Sequence, residues 1–394
     1  MTDSGPARVL ARCTGDPDRF AHEVWGRRTQ VHQSGTPATD LLSLTDVDRL
    51  VTSSALRLPA FRLVKDGSPL PPSSYTTNET IGGRPYNGVA EPTRVLAAMD
   101  DGATLVLQGM QRYHPPLAAF CRDLELALGH RCQVNAYVTP PGARGLDVHR
   151  DPHDVFVLQA FGSKQWEVHP TPWQERREPG TQVAEQTLSP GDVQYLPKGT
   201  PHAAHTQREL SGHVTVGVLA TTWSEALTGA VRDVLADEPE ASESLPVGWQ
   251  DDQPAVAGML ADRLTELAKA LRDAPAEELV RKRAEAFLTH RPSLLAGALL
   301  DRQRLAELDD ETRLVRRSGA PLAVAADADN ERVRVLLGDR ELRVPAWIRP
   351  ALETIADRTE LRPVDLAGDL DVESRVVLCS RLVREGLLTV AGRS

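Results

Sequence analysis

The sequence predicts an α+β protein in three parts: a mixed first half built on a β-sandwich or barrel, a helical block, and a mixed tail. Three observations carry this reading. Between Arg131 and Thr222, short strand-like runs (CQVNAYVT, DVFVLQAF, KQWEVHP, GDVQYLP, HVTVGVLATTW) are separated by PPG, FGSK and PKGT; repeated short strands with Gly/Pro turns make a sandwich or barrel. From 223 to 317, apolar residues recur at helical spacing in ALTGAVRDVLA, MLADRLTELAKALRDA, ELVRKRAEAFLTH and LLAGALLDRQRLAEL, around an acidic surface linker, ADEPEASESLPVGWQDDQP. From 318 to 394 the character is mixed again, and 394 residues exceed one compact core. The expected boundaries are therefore 1-222, 223-317 and 318-394.

Within the first part, AHEVWGRRTQVH reads as a helix running into a strand, SLTDVDRLVTSS as a short capped helix and LRLPAFRLVKDG as a strand. The Pro- and Thr-rich SPLPPSSYTTNET reads as loop. EPTRVLAAMDDGATLVLQGM predicts a helix, a turn at Asp101-Gly102 and a strand. PPLAAFCRDLELALGH carries Leu117, Phe120, Leu124 and Leu128 at helical spacing behind Pro115-Pro116. In the tail, ERVRVLLGDRELRVP predicts a hairpin turning at Gly338-Asp339. Helices follow at AWIRPALETIADRT, LRPVDLAGDL and VESRVVLCSRLVREG, then a strand at LLTV, an order that resembles a winged-helix module.

Composition narrows the function classes. No run of about 18 apolar residues predicts a membrane span, and MTDSGPARVLARCTGDPDRF lacks the apolar core of a secretion signal. The four cysteines, Cys13, Cys121, Cys132 and Cys379, have no CxxC spacing and read as reduced thiols of a cytoplasmic protein. A net charge of −10 argues against wholesale nucleic-acid binding and suits a basic peptide or protein partner.

The chemistry gathers in the strand-rich region. His149-Arg150-Asp151 stands at the mouth of an alternating apolar run, and GDVQYLPKGTPHAAH brings His202 51 positions after Asp151. Residues two apart on a strand share a side, so His149 and Asp151 reach one ion while Arg150 points away. His202, after a strand and a PKG turn, comes opposite them when the barrel closes. Two histidines and one carboxylate form the facial triad of non-haem Fe(II), leaving positions open for a bidentate 2-oxo acid and O2. His153 and His205 are near neighbours: Pro152 interrupts the strand before His153, and His205 replaces His202 if the loop is one turn longer. His114, His130, His169 and His213 have no partner pattern and read as structural or surface residues. A buried cosubstrate carboxylate needs a cationic anchor. Lys164 is the best candidate, although taken alone it reads more readily as an exposed turn lysine. Asn135 and Tyr137 alternate onto one face of the preceding strand and can present polar groups to the same cavity.

Together, VNAYVTPPG, HRDPHDVFVLQAFGSKQWEVH, GDVQYLPKGTPHAAHT and SGHVTVGVLATTW resemble, in order and spacing, the JmjC-type 2-oxoglutarate oxygenases of the ribosomal oxygenase group. These are cupin-like proteins that hydroxylate residues of ribosomal proteins. With the weaker FAHEVWGRR, the similarity spans roughly residues 18 to 222. The resemblance implies a double-stranded β-helix (jelly-roll, cupin) barrel, with His149, Asp151 and His202 as iron ligands. Lys164 would pair with the distal carboxylate of 2-oxoglutarate, and Asn135 falls where the family has a polar residue facing the site. It also implies a helical dimerisation region, hence a homodimer, and a C-terminal winged-helix domain. The reaction implied is hydroxylation of Arg or His in a protein substrate, with lysine demethylation less expected. The alternatives are the same chemistry on a biosynthetic peptide or free amino acid, or a non-catalytic cupin-like binding module. Two features depart from the family: Arg150 stands where many relatives carry an aromatic or other residue, and the tail is not basic. From Arg340 to Ser394 there are nine Arg, no Lys and nine Asp or Glu, which argues against direct nucleic-acid binding and for a protein contact.

Overall fold

The nine residues Arg131–Thr139 show how this chain builds a site. Cys132, Val134, Ala136 and Val138 point to one side of the strand and enter the main hydrophobic core. Gln133, Asn135, Tyr137 and Thr139 therefore point to the other, because side chains alternate. A sheet whose second face is polar yet covered must enclose something that uses those groups.

The computed structural model describes residues 5–169, 184–206, 208–327 and 330–391. The chain divides into two compact units, one of residues 1–220, 294–320 and 358–394, the other of 221–293 and 321–357. In the first half of the chain the strands are β1 (Gln30–Gln33), β2 (Phe61–Lys65), β3 (Ser68–Pro69), β4 (Thr76–Ile81), β5 (Arg84–Ala90), β6 (Thr104–Leu107) and β7 (Arg131–Thr139). They continue as β8 (His149–Arg150), β9 (Asp154–Phe161), β10 (Lys164–Val168), β11 (Ala184–Leu188), β12 (Asp192–Leu196), β13 (Pro201–Thr206) and β14 (Ser211–Leu219). The larger sheet has the order β1-β12-β9-β14-β7-β6-β2-β3, and the smaller β11-β10-β13-β8. From β7 to β14, four strands lie in each sheet and the pairs are antiparallel, the double-stranded β-helix that the sequence led us to expect.

Strand β9 explains why DVFVLQAF, Asp154 and Gln159 apart, shows apolar residues on both faces. Phe156, Leu158 and Ala160 enter the main core, while Val155 and Val157 enter a second, smaller cluster with Trp166, Val168, Leu188 and Leu196. A strand buried on both faces has no polar alternation to show. The main core is closed by helices, among them Leu44–Ser53 behind an N-terminal capping box at Ser43, and Pro115–Leu128. The latter starts on two prolines and stops at Gly129, whose φ of 69° supplies the left-handed C-terminal cap. Leu117, Phe120 and Leu124 are its buried stripe.

Four local readings change. TTNET is not loop: β4 pairs with β5, and the signal is weak because most of the hairpin is exposed and polar on both faces. PHAAHT is a strand, so His202 is the second residue of β13 rather than a loop residue; pairing on both sides overrides its modest intrinsic preference. Strand β8 ends at Arg150, so His149 and Asp151 do not share one strand; Pro152 has no N–H to continue the ladder. LRPVDLAGDL forms only a 3-10 turn at Pro363–Leu366.

The first unit also holds a three-stranded sheet of Leu314–Arg316, Glu360–Leu361 and Leu388–Val390, together with the helices Ala298–Arg304 and Val372–Arg384. Its internal lock is Asp301, only 2% exposed. The carboxylate accepts hydrogen bonds from Arg317 (2.5 Å), Thr389 Oγ1 (2.7 Å) and the Val390 amide (3.1 Å). Asp301→Ala strands a buried guanidinium, so a loss of about 3 kcal/mol is expected in chemical unfolding of the full chain. The second unit contains the helices Trp223–Ala236, Gln253–Asp273, Ala276–Thr289 and Arg349–Ala356. The predicted hairpin is there too, Arg332–Leu336 pairing with Glu341–Pro345. Among the described residues, no helix is long and apolar enough to cross a membrane.

A candidate metal centre and cosubstrate cavity

The cross-strand register decides where the triad meets. On the β13–β8 pair His202 stands directly opposite His149, and the ring centroids are 4.4 Å apart. Asp151, just beyond β8, brings Oδ2 to 3.7 Å from His202 Nε2. One ligand atom from each of the three residues lies within 4.8 Å of the others, and this is the only such group among the described residues.

Both imidazoles are oriented by their other nitrogen. His149 Nδ1 meets the Asp147 carbonyl at 2.8 Å, and His202 Nδ1 meets the Thr200 carbonyl at 2.9 Å. A carbonyl only accepts, so each Nδ1 carries the proton and each Nε2 keeps its lone pair, the usual arrangement of metal-ligating histidine. Burial, with the neighbouring His149 adding to it, pushes the His202 pKa down to about 4. The imidazole is therefore neutral and able to donate at physiological pH.

The three residues open onto a small cavity of about 40 Å³. Its wall includes Thr104, Tyr137, Thr139, Lys164, Trp166 and His213. Lys164, the first residue of β10, is buried rather than an exposed turn lysine. Its Nζ donates to Thr139 Oγ1 at 3.0 Å and to His213 Nδ1 at 3.2 Å, and no carboxylate of the described residues pairs with it. Desolvation pushes its pKa down to about 7. On β13, Thr206 lies opposite Lys164 and His202 opposite Val168, so the backbone positions of Lys164 and the His202 ligand are offset by four residues along the strands, roughly 13 Å, and both side chains reach into the one cavity.

Tyr137 lines the cavity and stacks on His213, with centroids 5.0 Å apart and an interplanar angle of 10°. Its hydroxyl pKa is raised by burial and by Asp151, which keeps it a neutral donor. Asn135 shares the face of Tyr137, but its Oδ1 accepts from the Gly109 amide at 3.1 Å; it braces the turn after β6 and is not among the cavity-lining residues.

The other histidines separate cleanly. His153 Nε2 lies 3.1 Å from Gln133 Nε2, and His205 Nδ1 3.8 Å from a Glu167 oxygen on the outer face. His114 bonds the Leu41 carbonyl, and His130 stacks on Trp25. His213 corrects the sequence reading, because it is neither a surface residue nor a passive one. It accepts the bond from Lys164, and burial, then Lys164, hold its pKa well below the usual value. The signal was present in parity: Val214, Val216 and Val218 face the core, so His213 and Thr215 face the cavity. Thr139 was missed for the same reason.

A closed antiparallel β-helix with a two-histidine, one-carboxylate cluster at one end and a buried, unpaired lysine further in defines the cupin class of metal-dependent proteins. The comparisons then place it. Residues 107–226 match the JmjC domain family, and the chain is similar to curated ribosomal oxygenases. Ribosomal oxygenase 2 of Bos taurus is 32% identical over 186 residues, covering 43% of this chain and 40% of the relative. Ribosomal oxygenase 1 of Gallus gallus is 28% identical over 301 residues, covering 69% of this chain and 49% of the relative. The chain thus spans less than half the length of these two curated relatives. Among solved structures, YcfD, a ribosomal oxygenase from Escherichia coli in complex with cobalt and 2-oxoglutarate, superposes with a TM-score of 0.56 at 20% identity, over 96% of this chain and 99% of that one. That likeness concerns the fold.

Proposed function

We propose that this chain is an Fe(II)- and 2-oxoglutarate-dependent oxygenase that hydroxylates an Arg or His side chain of a protein substrate, a ribosomal protein first among candidates. The observation that carries the reading is the pairing of two features in one cavity. Two histidines and one carboxylate bring their donor atoms within 4.8 Å of one another, and a buried lysine amine has no carboxylate partner among the described residues. The first suits a divalent metal with open positions, and the second asks for an anion.

When bound, ferrous iron would activate O2, the oxidant, with 2-oxoglutarate as co-reductant: it is decarboxylated to succinate and CO2, one oxygen atom going to succinate and the other into the substrate C–H bond. The protein supplies the rest. His149, Asp151 and His202 hold one face of the metal and leave the other free. Lys164 and the Thr139 hydroxyl take the distal carboxylate, and neutral His213 keeps the ammonium aimed while Tyr137 offers a donor beside it. Val155, Val157 and Trp166 line the inner wall with apolar surface and exclude water.

We read the chain as three sequence modules, a catalytic one at 1-222, a helical one at 223-317 and a winged-helix-like one at 318-394. The helical module is the expected homodimer contact. No residue of Gln253–Asp273 is buried, and Trp223, Leu227, Met259, Leu260 and Leu264 are exposed; exposed apolar surface of this kind marks association. The neutral tail fits a protein contact better than nucleic acid. All four cysteines are buried and none is in a disulfide, as suits a reducing, cytoplasmic setting.

The test is succinate formation by Fe(II)-loaded protein given 2-oxoglutarate and O2, with and without ribosomal proteins. Turnover that rises with one fraction, and a mass gain of one oxygen on Arg or His in it, is the expected result. A fraction that raises turnover while the gain falls on a free amino acid or a biosynthetic peptide would move the substrate class and leave the chemistry.

A further inference from the structure

The loop between β7 and β8 ends in the candidate ligand His149 and is held both by a barrel strand and by strands beyond the barrel. Near its start, Thr206 on β13 clamps it: Ala143 N donates to Thr206 Oγ1 at 3.1 Å and Thr206 N donates to the Ala143 carbonyl at 3.2 Å. In its middle, Gly145 sits so close to Thr104 that a Cβ there would lie 3.0 Å from the hydroxyl. At its end stands Asp147, whose carbonyl orients His149 through the 2.8 Å bond to Nδ1. Gly145, Leu146 and His149 all line the cavity.

The remaining tether comes from the turn between β2 and β3. Asp66 and Gly67 both have positive φ, 48° and 78°, as a tight two-residue Asp-Gly hairpin requires. The hairpin is fixed to the larger sheet by pairing of β2 with β6 and by the Lys65–Asp101 ion pair at 2.7 Å. Gly67 N donates to the Gly145 carbonyl at 3.2 Å. A Cβ on Gly67 would lie 2.6 Å from Asp147 Cγ and nearer still to Oδ2. The glycine is thus the point where the turn presses against the residue that orients the histidine.

We propose that Gly67 is a positioning residue for the metal centre: the β2–β3 turn, acting through Asp147, sets the direction of His149 Nε2. The inference rests on His149 being a metal ligand. A side chain at Gly67 meets the Asp147 carboxylate, and because the same turn holds the loop backbone through the Gly67 N–H to the Gly145 carbonyl, a shift of the turn is passed along the loop to the carbonyl that orients the imidazole. Partners of this outer kind typically change metal affinity 10–100-fold when altered.

The experiment is a Co(II) titration of the full chain without cosubstrate, followed by visible absorption, with the melting temperature recorded for each variant. Gly67→Ala is compared with Gly82→Ala, another positive-φ turn glycine (φ 55°) with nothing within 4 Å of the added Cβ. The backbone strain is then similar and only the neighbour differs. A third protein, Gly67→Ala with Asp147→Gly, removes the clashing side chain and keeps the orienting carbonyl. Gly67→Ala is expected to weaken Co(II) binding about tenfold and alter the absorption envelope, Gly82→Ala to leave both unchanged, and the double variant to recover to within about threefold. Wild-type affinity in Gly67→Ala, equal weakening in Gly82→Ala, or no recovery in the double variant would each overturn the proposal. A wild-type chain that binds no Co(II) would overturn the metal reading, and this inference with it.

Discussion

Replacing His202 by alanine abolishes metal binding and, with it, 2-oxoglutarate turnover, while the chain stays folded. His149→Ala has the same effect, and Asp151→Asn, which keeps shape but removes charge, nearly the same. The reason is the economy of the site. Three protein donors are the whole set, and among the described residues no fourth histidine or carboxylate stands close enough to replace one. Loss of a direct ligand exceeds the 10–100-fold typical of an outer partner, so Kd for Co(II) or Fe(II) rises at least about 100-fold. Stability changes little, because His202 contributes one hydrogen bond, to the Thr200 carbonyl, worth about 1 kcal/mol. Isothermal titration beside a thermal melt separates the two effects. Retained affinity in His202→Ala would remove it from the ligand set.

The second large effect is at Lys164. Lys164→Met abolishes 2-oxoglutarate binding, by about 100-fold or more in Kd, because the distal carboxylate would then be buried without its cation. Metal affinity is unchanged. Thermal stability does not fall and is expected to rise, since the unliganded fold carries a buried ammonium whose pKa is depressed to about 7 from 10.5. The sign follows from proton linkage. Between pH 7 and 10.5 the unfolded chain holds a proton on this lysine that the unliganded folded chain does not, so this group makes stability rise with pH across that window. Methionine abolishes that contribution. For the cosubstrate the direction reverses: the dicarboxylate needs the protonated amine, so its affinity weakens as pH rises above about 7, and Lys164→Met loses this dependence. A pH series of 2-oxoglutarate Kd on metal-loaded protein, with Lys164→Arg as the charge-retaining control, reads both arms. Wild-type Kd in Lys164→Met would place the carboxylate elsewhere.

Most of the site was legible because its residues are short-range patterns on regular strands. HRD, the turn-bounded GDVQYLPKGTPHAAH and the alternation of VNAYVT each survive in a single sequence. What escaped was long-range. That β13 is a strand, placing His202 opposite His149, depends on pairing with β8 and β10, which PHAAHT does not announce. His213 and Thr139 escaped although parity held the answer: on β14 and β7 the apolar residues face the helices, which leaves the polar ones for the cavity. Asn135 shows how a residue on that face can serve two neighbours: its Oδ1 accepts from the Gly109 amide, and its side chain also hydrogen-bonds the cavity-lining Tyr137. The β4–β5 hairpin was invisible because a strand exposed on both faces needs no hydrophobic pattern. Gly67 is announced locally only as half of an Asp-Gly turn; that this turn meets the loop at residue 147 is set by the fold alone.

The most direct test of the account is an anaerobic titration of Fe(II)-loaded chain with 2-oxoglutarate, followed by the visible charge-transfer absorption of a chelated 2-oxo acid. The prediction is saturation at one 2-oxoglutarate and one iron per chain, with the band absent in His202→Ala and its midpoint moved far upward in Lys164→Met. Binding of 2-oxoglutarate without metal, or an undiminished band in His202→Ala, would contradict it.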